Sequence, residues 1–182
     1  MSGVADREIR RHRLTVEDYH RMGEVGILSE DARVELIEGE LIDMAPIGSQ
    51  HAGTVSALTD VFTSALHGRA IVAVQSPVTL DDQSEPQSDL AILKFRGDYY
   101  RAAHPGSADV LLLIEVADTS AAYDRGIKVE LYARYGIPEV WLVDLSQRCG
   151  WRSTTVLRLV STGMWMTTTP VPSRPRRLAT WP

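Results

Sequence analysis

One stretch decides the fold of this chain: Asp109-Val110-Leu111-Leu112-Leu113-Ile114-Glu115-Val116-Ala117. Because nearly every position is apolar, the stretch predicts a strand that is buried on both faces of a sheet. Side chains alternate along a strand, so Leu111, Leu113 and Glu115 should share one face. Glu115 is therefore a carboxylate within a run that otherwise suits a core, and it must be neutralised, pair with a cation or bind a metal.

A second acidic residue raises the same question one strand earlier. Asp89 lies near the start of the apolar run at residues 88–93, and Lys128 follows both strands at the beginning of a predicted helix. A divalent metal between Asp89 and Glu115 would satisfy both carboxylates, because hard cations prefer oxygen ligands. Lys128 could then orient an attacking water or offset charge on a phosphorane-like transition state.

The other predicted elements are organised around these strands. Residues 33–44 read as a hairpin with Glu38-Gly39 at its turn, and Ser49 can cap a helix over residues 50–66. A strand follows at residues 71–80, where Pro77 indicates an edge or a bulge. The Lys128 helix should span residues 124–135. A mixed sheet flanked by helices is the natural packing for this order of elements.

Five segments together resemble a known family, in its order and at its spacings. They read Val34-Glu35-Leu36-Ile37-Glu38-Gly39-Glu40-Leu41 followed by Met44-Ala45-Pro46 and His51, then Gln87-Ser88-Asp89-Leu90-Ala91, Ile114-Glu115-Val116-Ala117-Asp118-Thr119-Ser120, Asp124-Arg125-Gly126-Ile127-Lys128 through Leu131-Tyr132-Ala133, and Gly136-Ile137-Pro138-Glu139-Val140-Trp141-Leu142-Val143-Asp144. This combination resembles the Uma-type restriction endonuclease family of the PD-(D/E)xK nuclease superfamily. The resemblance covers roughly residues 14–145, and its specificity comes from the combination of segments.

The chain departs from the superfamily pattern at two positions. The superfamily lysine lies two residues after the glutamate, where this chain has Ala117. The Uma-type family is similar to this chain in carrying the lysine on the next helix, at Lys128 here. The proline that usually precedes the aspartate is replaced by Ser88, which alters how the chain enters the strand and leaves the metal chemistry unchanged.

The resemblance implies a restriction-endonuclease-like α/β (α+β) fold, with a mixed central sheet, flanking helices and an N-terminal β-hairpin. It implies a divalent-metal-dependent endonuclease that uses Mg²⁺ or Mn²⁺ to hydrolyse phosphodiester bonds, with DNA as the expected nucleic acid. The expected catalytic residues are Asp89, Glu115, Lys128 and Glu35, with Asp89 and Glu115 as metal ligands. The alternative is a catalytically inactive nuclease-fold module that binds nucleic acid or a protein partner.

The three residues at the centre of this hypothesis also have purely structural explanations. Glu115 could be a strand-end carboxylate that forms a salt bridge with Arg125 or Lys128. Asp89 could accept hydrogen bonds from backbone amides at the start of its strand. Lys128 could be a surface lysine that pairs with Asp124 four residues earlier in the helix.

Three further candidates each have two interpretations. Glu35 is either an additional metal ligand or base, or a half-exposed charge on the hairpin. His51, in the first turn of its helix, is either a substrate contact or a histidine with a structural partner. Gln75 could lie beside Asp89 and hold a water or a ligand carboxylate, or it could bond to a neighbouring loop.

Size and composition set the remaining expectations. A chain of 182 residues predicts one domain spanning residues 1–182, with a flexible lead at 1–13 and an irregular tail at 170–182. The single cysteine, Cys149, excludes an intrachain disulfide framework and fits a reducing cytosol. The sequence shows neither a signal peptide nor an apolar run long enough to span a membrane, so we expect a cytoplasmic protein.

Charge and symmetry bear on the expected partners. The net charge of −5 does not itself favour nucleic-acid binding. Arginines cluster at both termini, where they form either mobile solvated ends or arms that contact a phosphate backbone. A homodimer is the expected assembly if both strands of a duplex are cut, because two-fold dimers are the commonest oligomers.

Overall fold

The computed structural model describes residues 11–117, 124–145, 155–160 and 169–170. Its elements in chain order are α1 (Val16–Glu24), β1 (Val34–Ile37), β2 (Glu40–Asp43), α2 (Ser49–Leu66), β3 (Ala70–Pro77), β4 (Gln87–Lys94), β5 (Val110–Ala117), α3 (Val129–Arg134), β6 (Glu139–Asp144), β7 (Thr155–Val160) and β8 (Thr169–Pro170). A 3-10 turn, Ser107–Asp109, leads into β5, and a π-helical turn, Asp124–Lys128, leads into α3.

The central sheet is mixed, which confirms the predicted fold class. Its strand order is β3-β4-β5-β6-β7-β8, and β1 and β2 form a separate antiparallel hairpin. Neighbouring strands are antiparallel except β5 and β6, which run parallel. A parallel pair needs a crossover, and α3 lies in the connection between these two strands.

Helices cover both faces of β4 and β5. On one face, α2 contributes to a cluster with the central strands, comprising Val55, Leu58, Phe62, Leu90, Ile92, Leu112, Ile114, Val116 and Val143. On the other, α3 and the hairpin pack with Val78, Leu80, Ala91, Leu93, Val110, Leu113, Leu131, Tyr132, Ile137, Val140 and Ile37. The prediction that the β5 stretch is buried on both faces is therefore confirmed.

Strict alternation along β5 fails at Leu111. This residue packs with the α2-side cluster, whereas Leu113 lies in the α3-side cluster. The register steps from Ile92↔Leu112 to Leu93↔Val110, so β5 carries one extra residue at this point. A β-bulge of this kind resets which face each side chain occupies. The expectation that Leu111 shares a face with Leu113 was wrong, and the alternation holds only after the bulge.

The predicted hairpin and helices are present, with a small shift at one helix start. The hairpin turns at Glu38 and Gly39, whose φ angles are 49° and 75°, as a two-residue turn requires. Helix α2 begins at Ser49 and its N-cap is Gly48, one residue earlier than the predicted Ser49 cap. The predicted lead and tail lie mostly outside the described residues.

Gly39→Ala should reduce the free energy of unfolding by about 2–5 kcal/mol, which urea denaturation can measure. A Cβ at this position would lie 2.6 Å from Arg13 Cβ, and the φ of 75° is costly for any other residue. Gly53→Ala is the matched control, because a Cβ there meets nothing within 4 Å. That helical substitution should stabilise the protein by roughly 0.5–1 kcal/mol. Equal stabilities for the two variants would contradict the turn geometry.

Among the described residues, the helices fall short of the length and apolar character needed to cross a bilayer.

Candidate active site

Three ionisable side chains meet in the interior between the hairpin, β5 and the π-helical turn. Lys128 Nζ lies 2.9 Å from Glu35 Oε2 and 3.5 Å from Glu115 Oε1. Each of the three residues is only 3% exposed. The Lys128 ammonium also donates a hydrogen bond to the Gln87 carbonyl at 3.1 Å. Because buried ions are costly without partners, this contact set explains how two acids and a base can share the site.

Neutral donors fix the orientation of both carboxylates. The Tyr132 hydroxyl donates to Glu115 Oε1 at 2.6 Å, and the Gln87 backbone N–H donates to Glu35 Oε2 at 3.0 Å. Tyr132 is fully buried. These hydrogen bonds fix the orientation of each glutamate side chain, as a preorganised site requires.

Asp89 lies at the rim of this region. Its Oδ2 accepts a hydrogen bond from the Val116 N–H at 2.8 Å, and its Oδ1 is 2.8 Å from His51 Nε2. The side chains of Asp89 and His51 are 13% and 16% exposed. His51 reaches this position because it lies in the first turn of α2. Asp89 is thus more accessible than the buried cluster formed by Glu35, Glu115 and Lys128.

The register places Asp89 and Glu115 on adjacent strands. The last pair between β4 and β5 is Leu90↔Ile114, so Asp89 and Glu115 are the next positions outward. Within the described ranges, neither residue belongs to a set of three or more His, Cys, Asp or Glu ligand atoms that all lie within 4.8 Å of one another. Two of the structural pairings left open by the sequence are present, namely Glu115 with Lys128 and Asp89 with a backbone amide.

Comparison with known families adds an independent observation. The model of the Uma2 family, described as "Putative restriction endonuclease", matches residues 16–176. The chain belongs to the Uma2 family. This membership places it in a nuclease family, as the resemblance predicts. A search of the curated proteins found no match.

A solved structure shows a similar fold. It is the crystal structure of a protein described as "a putative nuclease belonging to DUF820", from Anabaena variabilis. The two chains share 15% sequence identity with a TM-score of 0.62, over 87% of this Uma2 chain and 86% of the other. At that identity the likeness concerns the fold alone.

Two structural alternatives do not hold for this Uma2 protein. Glu35 is not a half-exposed hairpin charge, because it is buried against Lys128. Lys128 is not a surface lysine, because the π-helical turn directs it inward while Ile127 beside it is 47% exposed. Turns of this type occur frequently at functional sites, which fits the position of the lysine.

Gln75 lies on the strand next to Asp89. The pairs Val74↔Leu90 and Ser76↔Ser88 flank it, which puts Gln75 across from Asp89. Its φ of 47° interrupts the pairing there, and its carbonyl accepts a hydrogen bond from the Gln87 side-chain amide. The expected position is therefore observed, while a role in holding a ligand stays a prediction.

Tyr132 belongs to a segment that carries the family resemblance, but the sequence alone suggested no role for it. It follows Lys128 by four positions, a spacing that brings two side chains to one side of a helix. That spacing was a usable signal, since a tyrosine hydroxyl in an apolar segment needs a partner and Glu115 supplies it.

Proposed function

We propose that this Uma2 protein is a divalent-metal-dependent endonuclease that hydrolyses phosphodiester bonds in DNA. The observation that supports it is the convergence of Glu35, Glu115 and Lys128 in one buried cluster, with Asp89 on the adjacent strand. A structural core rarely contains so many ionisable groups without a chemical reason, because their desolvation is costly.

The residues present fit a hard divalent cation. Asp89 and Glu115 would hold it, and Glu35 offers a further carboxylate in contact with Lys128. All three supply oxygen donors of the type that Mg²⁺ and Mn²⁺ prefer. When bound, the cation would supply Lewis acidity that polarises the scissile phosphate.

The protein's own side chains have separate tasks in this scheme. Lys128 holds Glu35 and Glu115 near each other despite their like charge, and it would offset negative charge on the transition state or orient the attacking water. Tyr132 fixes Glu115. His51 fixes Asp89 and lies near enough to the rim to contact a substrate.

The acidic character of the site has a consequence for substrate binding. A DNA phosphate approaching Asp89, Glu115 and Glu35 meets negative charge, and the net charge of the chain is −5. A bound divalent cation would offset this repulsion, so cleavage should depend strictly on a divalent ion.

Supercoiled plasmid, single-stranded DNA and RNA should be incubated with purified protein in Mg²⁺, Mn²⁺ or EDTA. We expect nicking or linearisation of DNA with Mg²⁺ or Mn²⁺, no cleavage with EDTA, and slower cleavage of RNA. Absence of cleavage with every divalent ion and all three substrates would remove the enzymatic proposal.

The second candidate is a nuclease-fold module without catalysis. The observation that favours it is the local pairing of each acid, with Lys128 contacting both glutamates and with His51 and the Val116 amide contacting Asp89. Calorimetric titration with Mn²⁺ discriminates the two. No Mn²⁺ binding, or Mn²⁺ binding that Asp89→Asn does not weaken, combined with salt-sensitive DNA binding, would favour the module. A homodimer and a cytoplasmic location stay predictions under either function.

A further inference from the structure

A second cluster of potential ligands lies outside the site already described. His20 comes from α1, Glu85 from the connection between β3 and β4, and His104 from the connection between β4 and β5. One ligand atom from each of the three residues lies within 4.8 Å of the other two. His20 Nε2 is 2.7 Å from Glu85 Oε1, and the two imidazole rings meet edge to face at 5.9 Å.

Glu85 is buried, and its backbone and side chain are both held by hydrogen bonds. It is 3% exposed, and its backbone N–H donates to the Leu36 carbonyl at 2.8 Å. Its Oε2 accepts a hydrogen bond from the Thr79 hydroxyl at 2.7 Å, which leaves Oε1 directed at His20. Hydrogen bonds that orient a ligand carboxylate in this way are typical of protein metal sites.

Thr79 also positions the second histidine. Its backbone N–H donates to the carbonyl of Pro105 at 2.9 Å, directly after His104 in the chain. One residue therefore fixes both the Glu85 carboxylate and the backbone beside His104. An ion pair needs only His20 and Glu85. It does not explain why the connection between β4 and β5 also brings His104 close to the Glu85 carboxylate.

The cluster opens into a cavity of about 430 Å³, whose wall includes Tyr19, His20, Glu85, Gln87 and His104. Both histidines are exposed, so an ion could enter and would retain a coordination position facing the cavity.

We propose that His20, Glu85 and His104 form a site for a transition-metal cation of the Zn²⁺ type. Two imidazoles and one carboxylate, with a fourth position open, are a ligand set typical of Zn²⁺. Imidazole ligands select Zn²⁺ over Mg²⁺, which prefers oxygen alone. The site does not depend on the proposed nuclease function, because Asp89, Glu115 and Lys128 are not part of it. The bound ion would link α1 to the β3–β4 and β4–β5 connections.

The test is calorimetric titration of the chelator-treated 182-residue chain with ZnSO₄, with Mg²⁺ present in large excess. We expect one Zn²⁺ per chain and a melting temperature raised by roughly 5–10 °C at a hundred-fold excess over Kd. Thr79→Val should weaken binding by roughly 10–100-fold, and His20→Ala and His104→Ala should weaken it further. Both histidines are exposed, so these two variants should remain folded.

Two controls separate this site from its alternatives. His12→Ala removes an exposed histidine that is not in the cluster, and it should bind Zn²⁺ like the wild type. Asp89→Asn should also retain Zn²⁺ binding, whatever its effect on cleavage. The inference is overturned if His20→Ala binds as tightly as His12→Ala, or if Asp89→Asn abolishes the binding. A Zn-edge anomalous peak beside Glu85 would support it directly.

Discussion

Asp89→Asn should slow Mg²⁺-dependent DNA cleavage by roughly 10²–10⁴-fold, because the lost Lewis-acid stabilisation is worth several kcal/mol. The substitution removes a charge that the proposed metal site requires. The asparagine amide keeps an oxygen that can accept the hydrogen bond from the Val116 N–H, which is 2.8 Å long in the wild type. The free energy of unfolding should therefore change by only about 1 kcal/mol. Initial rates of plasmid nicking and urea denaturation curves measure the two quantities.

Asp60→Asn is the matched control for this experiment. Asp60 is exposed on α2, so the same charge is removed at a distance from the cluster. We expect the wild-type cleavage rate from this variant. If Asp89→Asn and Asp60→Asn cut DNA equally fast, Asp89 is not a metal ligand and the proposed site is in the wrong place.

Lys128→Met should reduce the free energy of unfolding by about 3–5 kcal/mol, the cost of breaking a buried ion pair by removing one partner. Methionine preserves most of the length and the apolar stem, while the contacts to Glu35 at 2.9 Å and Glu115 at 3.5 Å are lost. The carbonyl of Gln87 loses its donor as well. Urea denaturation monitored by circular dichroism gives the free-energy change.

The chain offers a close control, because Lys94 is its other lysine. Lys94 is exposed at the end of β4, so Lys94→Met should change stability by no more than about 0.5 kcal/mol. Adding Glu35→Gln to Lys128→Met should restore part of the loss, with a coupling of roughly 0.5–3 kcal/mol. Equal stability of the two lysine variants would show that the ammonium does not compensate the buried carboxylates.

The sequence predicted the central architecture because the decisive signals are local. An apolar run as continuous as β5 can be buried only inside a sheet, and the Glu38-Gly39 pair adopts the turn that its residue types favour. The inward position of Glu115 follows from alternation within three residues. Its contact with Lys128 was also among the pairings that the strand and the following helix suggested.

Other features depend on tertiary contacts that no local pattern encodes. The bulge at Leu111 arises from the pairing of two strands and leaves no mark in an apolar run. Glu35 looks like a surface charge within its hairpin and is buried only because Lys128 reaches it from the π-helical turn. His20 and His104 lie far apart in the chain, and only the folded sheet brings them to Glu85.

The outer strand β3 also limits how copies of this protein can associate. Pro77 has no N–H to offer, and the left-handed backbone at Gln75 turns its peptide groups away from a regular ladder. A strand of a second chain that paired with the outer edge of β3 would meet an interrupted row of backbone hydrogen-bonding groups. Natural sheets use such interruptions at edge strands to prevent aggregation. The regular part of this border is therefore limited to residues 70–74, which leaves a second chain only a short stretch with which to pair.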